Sequence, residues 1–415
     1  MKILLTGQAF YRCDNGQAVF TINLAEGLAA SGQQVMVLAP STKRPAAREQ
    51  QNGVTVQTVP AFSLFDNTNV TAFSGGLVNA VFEQFQPDVV HIQDHYFLSR
   101  AVLRAARTRH ILTVGTNHFL PENLTDNLLR GHPLLRGVQP LANRLLWRNM
   151  LGVYNRLAAV STPTQTAAAI LRAQAIRSPV SAISCGVDVQ RFRPRPTLDR
   201  SFMRRKYGLA PDKPVLLYVG RIDREKKLDL LIAALAQMGR ADMQLAIAGK
   251  GAFRPKLEQL CAELGLRDQV VFTGFVPDAD LPLLLNSVDI FAMPSHAELQ
   301  SIATLEAMAS GLPVLAANAR ALPELVTPGS NGQLFDPTAS RDAAQAIAQL
   351  IAQRRQWPQM GAISRAKAEC HAHSQVVTRY VQWYCQTDSR ARSASIASQT
   401  PCGGAVMAPG QVESK

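Results

Sequence analysis

Two glutamates, Glu298 and Glu306, lie eight positions apart in the run Pro294-Ser-His-Ala-Glu-Leu-Gln-Ser-Ile-Ala-Thr-Leu-Glu-Ala-Met-Ala-Ser-Gly-Leu-Pro-Val. An apolar stretch at 290–293 precedes them, and a helical pattern opens near Ile302. This predicts Glu298 at the carboxyl end of a strand and Glu306 about two turns along the following helix. In an open α/β sheet, ligands bind at such strand ends, and a helix N-terminus there offers N–H groups to a phosphate. Two carboxylates beside them suit hydroxyls on either side of that phosphate. Without neighbours, the pair is more readily a helix-dipole partner and a solvated carboxylate.

A second cluster, Gly220-Arg-Ile-Asp-Arg-Glu-Lys-Lys, closes the apolar run VLLYVG at 215–220. Arg221 can fork onto two phosphate oxygens, and Lys226 adds a point charge. Such cations neutralise a diphosphate leaving group without a metal. On sequence alone a basic turn also reads as solvated surface. Asn15-Gly16 falls in the first strand-to-helix loop, where glycine lets backbone approach a ligand closely, or simply makes a turn. His118 follows the strand near 111–115. A lone histidine is more often structural, as His91 in DVVHIQ is taken to be, and Asp94 and His95 at the mouth of that strand are weaker candidates. Asp278-Ala-Asp280 has the look of a metal-binding pair but precedes a helix and reads as capping. Gly249-Lys-Gly251 is a fragment of a dinucleotide fingerprint without its third glycine.

These residues need strand ends to hold them, and the chain supplies two series. Apolar strands alternate with helical stretches from KILLTG through Asp88–Gln93 to Gly115, and again from 215 to 316. Near-continuous apolar strands imply parallel sheets covered on both faces. The predicted class is α/β with two Rossmann-like, doubly wound domains. The pattern breaks around Arg193-Pro-Arg-Pro196. The expected units are therefore 1–195, 196–365, a C-terminal helix at 366–388, and a disordered Ser/Ala/Gly-rich tail at 389–415.

A chain of 415 residues exceeds one ordinary core, and 47% hydrophobic with 18% charged residues fits a globular protein without a membrane span. Met1–Gly7 is too short for a signal h-region, so a cytoplasmic location is expected. Six scattered cysteines suggest neither disulfides nor a zinc site. The net charge is +13, and residues 1–195 hold 19 Lys and Arg against 10 Asp and Glu. No acid occurs between Asp126 and Asp188. The stretch 128–156 mixes Leu, Trp and Met with arginines, which fits either an anionic membrane surface or a core helix with arginines outward.

The Glu-x7-Glu spacing followed by EAMASGLPV resembles the retaining glycosyltransferases of family 4, whose fold is called GT-B. The likeness extends to about Asp388. It implies that Glu298 contacts donor-sugar hydroxyls, that Glu306 holds the nucleotide ribose, and that Ser301 and Ile302 offer backbone amides. The Gly-Arg-x4-Lys element implies a diphosphate grip for Arg221 and Lys226. The loop at Asn15-Gly16 and His118 would face the donor from the other domain. Where the family has Glu-Gly-Phe-Gly-Leu-Pro, this chain has Glu298-Leu-Gln-Ser-Ile-Ala, and Lys227 replaces a glycine. The GTNHFLPENL and Gln93-Asp-His-Tyr runs resemble the branch that glycosylates lipids such as diacylglycerol or phosphatidylinositol.

The resulting expectation is retaining transfer of a hexosyl group from a UDP- or GDP-sugar to a hydroxyl acceptor, a membrane lipid or glycan precursor. No cofactor, metal or nucleic acid is expected, and the inner face of the membrane is a candidate location. The rivals are a sugar-nucleotide epimerase on the same fold and a non-catalytic basic membrane-surface protein.

Overall fold

The computed structural model describes residues 1–8, 16–42, 46–65, 68–71, 74–129 and 137–399. In the N-terminal half the strands are β1 (Lys2–Thr6), β2 (Gln34–Ser41), β3 (Arg48–Gln51), β4 (Val54–Pro60), β5 (Phe62–Phe65), β6 (Thr68–Val70), β7 (Val89–Ile92), β8 (Leu112–Thr116), β9 (Ala159–Thr162) and β10 (Val180–Ala182). All but β5 and β6 join one sheet in the order β10-β9-β8-β7-β1-β2-β4-β3, parallel except where β3 meets β4. Its helices are α1 (Gly16–Ala30), α2 (Gly75–Phe85), α3 (Phe97–Thr108), α4 (Pro121–Leu129), α5 (Gln139–Tyr154) and α6 (Gln165–Arg172).

The second half begins with α7 (Arg200–Lys206) and builds a parallel sheet in the order β13-β12-β11-β14-β15-β16. Those strands are β11 (Val215–Val219), β12 (Gln244–Ala248), β13 (Val270–Gly274), β14 (Ile290–Met293), β15 (Val314–Ala317) and β16 (Gly332–Phe335). Between and after them run α8 (Leu228–Met238), α9 (Arg254–Glu263), α10 (Leu281–Leu285), α11 (Ile302–Ala309), α12 (Leu322–Leu325), α13 (Ser340–Ala352) and α14 (Trp357–Glu369). Two doubly wound α/β sheets follow one another, as the alternating pattern predicts.

Each sheet is apolar on both faces because helices cover both. On one face of the first sheet Phe82, Val102, Met150 and Tyr154 pack together. On the other, Phe20, Leu24 and Leu28 of α1 meet Tyr380, Trp383 and Tyr384 of the last helix, α15 (His373–Gln399). The chain thus returns to its N-terminal half at its end. The expected return helix at 366–388 is displaced. α14 stops at Glu369, and Val187 exchanges backbone hydrogen bonds with His371 and His373, each 3.0 Å, before α15 starts. α15 also runs past the expected order limit at 388 as far as Gln399, while residues 400–415 lie outside the described set.

Candidate active site

The loops after β11 and β14 place the main cluster. Lys226 Nζ donates to Glu298 Oε1 at 2.7 Å and lies 3.5 Å from Glu225 Oε1. Arg221 forks onto Asp223 and, at 3.0 Å, onto Glu225. Two predicted cations and one predicted carboxylate therefore meet around Glu225, a buried acid that sequence reading passed over. Burial works against the Lys226 ammonium, but Glu298 and Glu225 outweigh it and raise its pKa. Burial likewise pushes the Glu298 carboxyl up, while Lys226, a hydrogen bond from Ser295 and Arg221 together bring it below the ordinary value. Both groups are charged at neutral pH.

The turn that carries Lys226 ends on Lys227, which adopts a left-handed conformation at φ 54 and ψ 34. The glycine expected from the resemblance is missing, yet its geometry is kept. Tyr218 Oη donates to the Arg221 carbonyl at 2.6 Å and fixes the start of the same loop.

Beside it lies a cavity of about 390 Å³ walled by Val219, Gly220, Arg221, Gly249, Lys250, Gly251, Val276, Asp278 and Leu281 among others. Gly249-Lys-Gly251, set aside as a partial fingerprint, is part of this wall. A Cβ on Gly249 would lie 1.9 Å from the Gly220 carbonyl, and one on Gly251 2.2 Å from that of Ile222. The loops after β11 and β12 approach so closely that only glycine fits. The capping role expected for Asp278-Ala-Asp280 is corrected. Asp280 occupies the N-cap of α10 without a side-chain capping bond, because Lys206 Nζ at 2.6 Å and Tyr207 Oη at 2.5 Å take its carboxylate.

Ser301 caps α11, accepting from Thr304 N, so the helix opens at Ile302. Glu306 is consequently just over one turn in, not two. Burial lifts its pKa to about 8, against the pull of Arg191. Asp278, another acid facing it, adds to the rise.

The substituted residues Leu299 and Gln300 fasten the two halves together. Leu299 is buried in the N-terminal core, and its carbonyl accepts from Thr164 Oγ1 at 2.9 Å. Gln300 Oε1 accepts from Cys185 N at 2.7 Å and Ser184 Oγ at 3.1 Å. Asn123 Nδ2 donates to the Ala297 carbonyl at 3.2 Å.

From the N-terminal side, Gly16 begins α1 and faces Ile302, whose Cδ1 would be 3.9 Å from an added Cβ. Asn15 lies outside the described residues. His118 pairs through Nε2 with Gln93 Oε1 at 3.1 Å and packs on the Phe20 ring, centroids 4.6 Å apart. Burial drives its pKa down to about 3, so the ring is neutral. His91 bonds Tyr384 at 2.8 Å and Thr116 at 2.7 Å, the structural role expected of it. Asp94 binds Gln8 N at 2.6 Å, Tyr96 N at 3.0 Å and Ser99 Oγ at 2.7 Å, and so ties the loops after β1 and β7.

Comparison with known proteins bears on the family and the fold. Residues 14–191 match the family described as Glycosyltransferase Family 4, and residues 199–367 match Glycosyl transferases group 1. A D-inositol 3-phosphate glycosyltransferase of Geodermatophilus obscurus is 31% identical, over 95% of this chain and 89% of its own. A GDP-mannose-dependent phosphatidylinositol monomannoside mannosyltransferase of Mycolicibacterium smegmatis is 36% identical over 43% of this chain and 49% of its own. Sucrose-phosphate synthase of Thermosynechococcus elongatus superimposes with a TM-score of 0.77 at 21% identity, over 94% of this chain and all of its own. With two doubly wound α/β sheets, a helix returning to the first, and these matches over nearly its whole length, this chain belongs to the glycosyltransferases of family 4, with the GT-B fold.

Proposed function

We propose that the chain transfers a hexosyl group from a UDP- or GDP-sugar to a lipid or glycan hydroxyl with retention of anomeric configuration. The observation that carries this is the Lys226–Glu298 pair beside Arg221 at the rim of the cavity. Arg221 and Lys226 neutralise the departing diphosphate. Glu298 takes sugar hydroxyls, Glu306 the ribose, and the Ser301 and Ile302 amides a phosphate. The apolar wall of Val219, Val276 and Leu281 takes the base. His118 and Gly16 face the sugar from the other half. In the reaction the anomeric carbon's bond to the diphosphate breaks, its bond to the acceptor oxygen forms, and the acceptor proton passes to the departing phosphate.

The lipid acceptor is supported by the phosphatidylinositol monomannoside specificity in the name of the mannosyltransferase relative and by the surface of α5. That helix buries Trp147 and Met150 yet exposes Leu141 and Leu145 beside Arg144 and Arg148. An apolar strip flanked by arginines suits an anionic membrane surface. Residues 130–136 of the basic stretch lie outside the described set, and no helix among the described residues is long and apolar enough to cross a membrane.

The test is incubation with UDP- and GDP-linked hexoses, with and without phosphatidylinositol or diacylglycerol in detergent, followed by NMR of the product anomer. A product with the donor's anomeric configuration is expected. An inverted product overturns retention. Conversion of the donor sugar without an acceptor would favour the epimerase reading. In the same assay Arg221→Ala is expected to lose roughly 100-fold or more in turnover with the fold intact, and activity within a fewfold of wild type would remove Arg221 from the site.

A further inference from the structure

Gln93 stands one residue beyond β7, and His118 two beyond β8, the neighbouring parallel strand. The amide of Gln93 is almost wholly enclosed, with 1% of the residue exposed. Its backbone is held from two sides. Gln17 Nε2 donates to the Gln93 carbonyl at 3.0 Å, and a Cβ on Gly7 would sit 2.9 Å from the Gln93 Cβ. Only the side-chain oxygen has a role, receiving His118 Nε2 at 3.1 Å. The amide nitrogen is buried without a hydrogen-bond partner among the described residues.

An orphaned buried donor of this kind is destabilising, and a leucine of similar size would avoid that cost. What the amide provides in return is an obligate acceptor. A carbonyl oxygen cannot donate, so the ring nitrogen facing it must carry the imidazole proton. A neutral ring has one such proton. Nδ1 is then a bare lone pair, and among the described residues no hydrogen bond to it is formed.

We propose that Gln93 is a positioning residue that locks His118 in the Nε2–H tautomer, so that Nδ1 meets the substrate as a hydrogen-bond acceptor for a sugar hydroxyl. The proposal rests on His118 facing the donor sugar. Phe20 fixes the plane of the ring and Gln93 its rotation and proton. The burial that keeps the ring neutral is consistent with this, since an imidazolium would present a donor on both nitrogens.

Imidazole 15N spectra of the full chain read the tautomer directly, independent of turnover. Wild type is expected to show protonated Nε2 and unprotonated Nδ1 at neutral pH, and Gln93→Leu a mixture of tautomers. Release of sugar from UDP-glucose and GDP-mannose should fall roughly 10- to 100-fold in kcat for Gln93→Leu, with KM changed by less than about threefold, as when an orienting partner of a histidine is removed. Gln93→Glu keeps the acceptor but adds an anion. It should restore the single tautomer, raise the His118 pKa, and move the acid limb of the pH–rate profile upward. Circular dichroism of both variants separates these effects from misfolding. Protonated Nδ1 in wild type, or an unchanged tautomer and rate in Gln93→Leu, would overturn the proposal. His118→Ala with wild-type turnover would instead remove the donor-facing reading of His118, whatever the spectra show.

Discussion

Lys226 Nζ and Glu298 Oε1 lie 2.7 Å apart, on loops that follow neighbouring strands, with only 15% and 13% of their side chains exposed. An ion pair so enclosed is worth little net, but breaking one side of it leaves an unpaired charge that costs about 3–5 kcal/mol. Lys226→Met alone should therefore destabilise strongly and raise the Glu298 pKa. Lys226→Met with Glu298→Gln should recover much of that loss while remaining inactive. Urea unfolding of the two single variants and the double variant checks this, and additive losses would show that the pair is not coupled.

Glu306 behaves differently because the pull of Arg191 does not offset its burial. Burial holds its pKa at about 8, so the carboxyl is mostly protonated at pH 7 and ionises as pH rises through 8. Hydrogen bonds to an ionised carboxylate exceed neutral ones by about 1 kcal/mol. Donor affinity should thus rise between pH 7 and pH 9 in wild type. Glu306→Gln should bind UDP or GDP more weakly, and the gap should widen roughly fivefold over that interval. Calorimetry at both pH values decides it, and a gap that stays constant would detach Glu306 from the ribose.

The charged cluster was legible because its residues are close together in sequence. Glu298, Ser301, Ile302 and Glu306 fall within nine positions, and Arg221 and Lys226 within six. Their partners were not, because partnership is tertiary. Glu225 within a charged turn reads as a solvated acid, and only the fold shows it buried between two cations. Gln93 has no catalytic look until β7 and β8 are placed side by side. The glycines at 249 and 251 lacked a motif since their constraint comes from carbonyls of another loop. Among the elements, β9, β10 and β16 escaped notice because Ser, Thr or Gln breaks their short apolar runs, whereas the equally short β14 is wholly apolar.

Lys227 is a local strain with a simple remedy. A left-handed conformation costs a residue with a Cβ about 1–2 kcal/mol. Lys227→Gly relieves it, at some loss of unfolded-state restriction. Thermal unfolding should rise by a few degrees, equivalent to about 1 kcal/mol. Donor affinity should stay unchanged, since Lys226 keeps its position. A lower melting temperature would mean that the lysine side chain contributes more than its backbone costs.

Acid stability follows from the enclosed histidines. Burial lowers the pKa of His91 to about 3, with the His118 charge a smaller cause, and lowers that of His95 to about 4. In the unfolded chain both titrate near 6.5. Between these values the unfolded state binds more protons than the folded one, so stability is complete above about pH 6.5 and declines as pH falls toward 3. The raised carboxyls Asp94 and Glu306 act in the opposite sense, which makes a single-residue comparison the cleaner measurement. For His91 alone the decline between pH 7 and pH 5 is about 2 kcal/mol. His91→Gln should be less stable than wild type at pH 7, having lost hydrogen bonds with Tyr384 and Thr116, but its loss on moving to pH 5 should be smaller by about that amount. Urea midpoints at the two pH values test it, and parallel losses in the two proteins would show that His91 titrates normally in the folded chain.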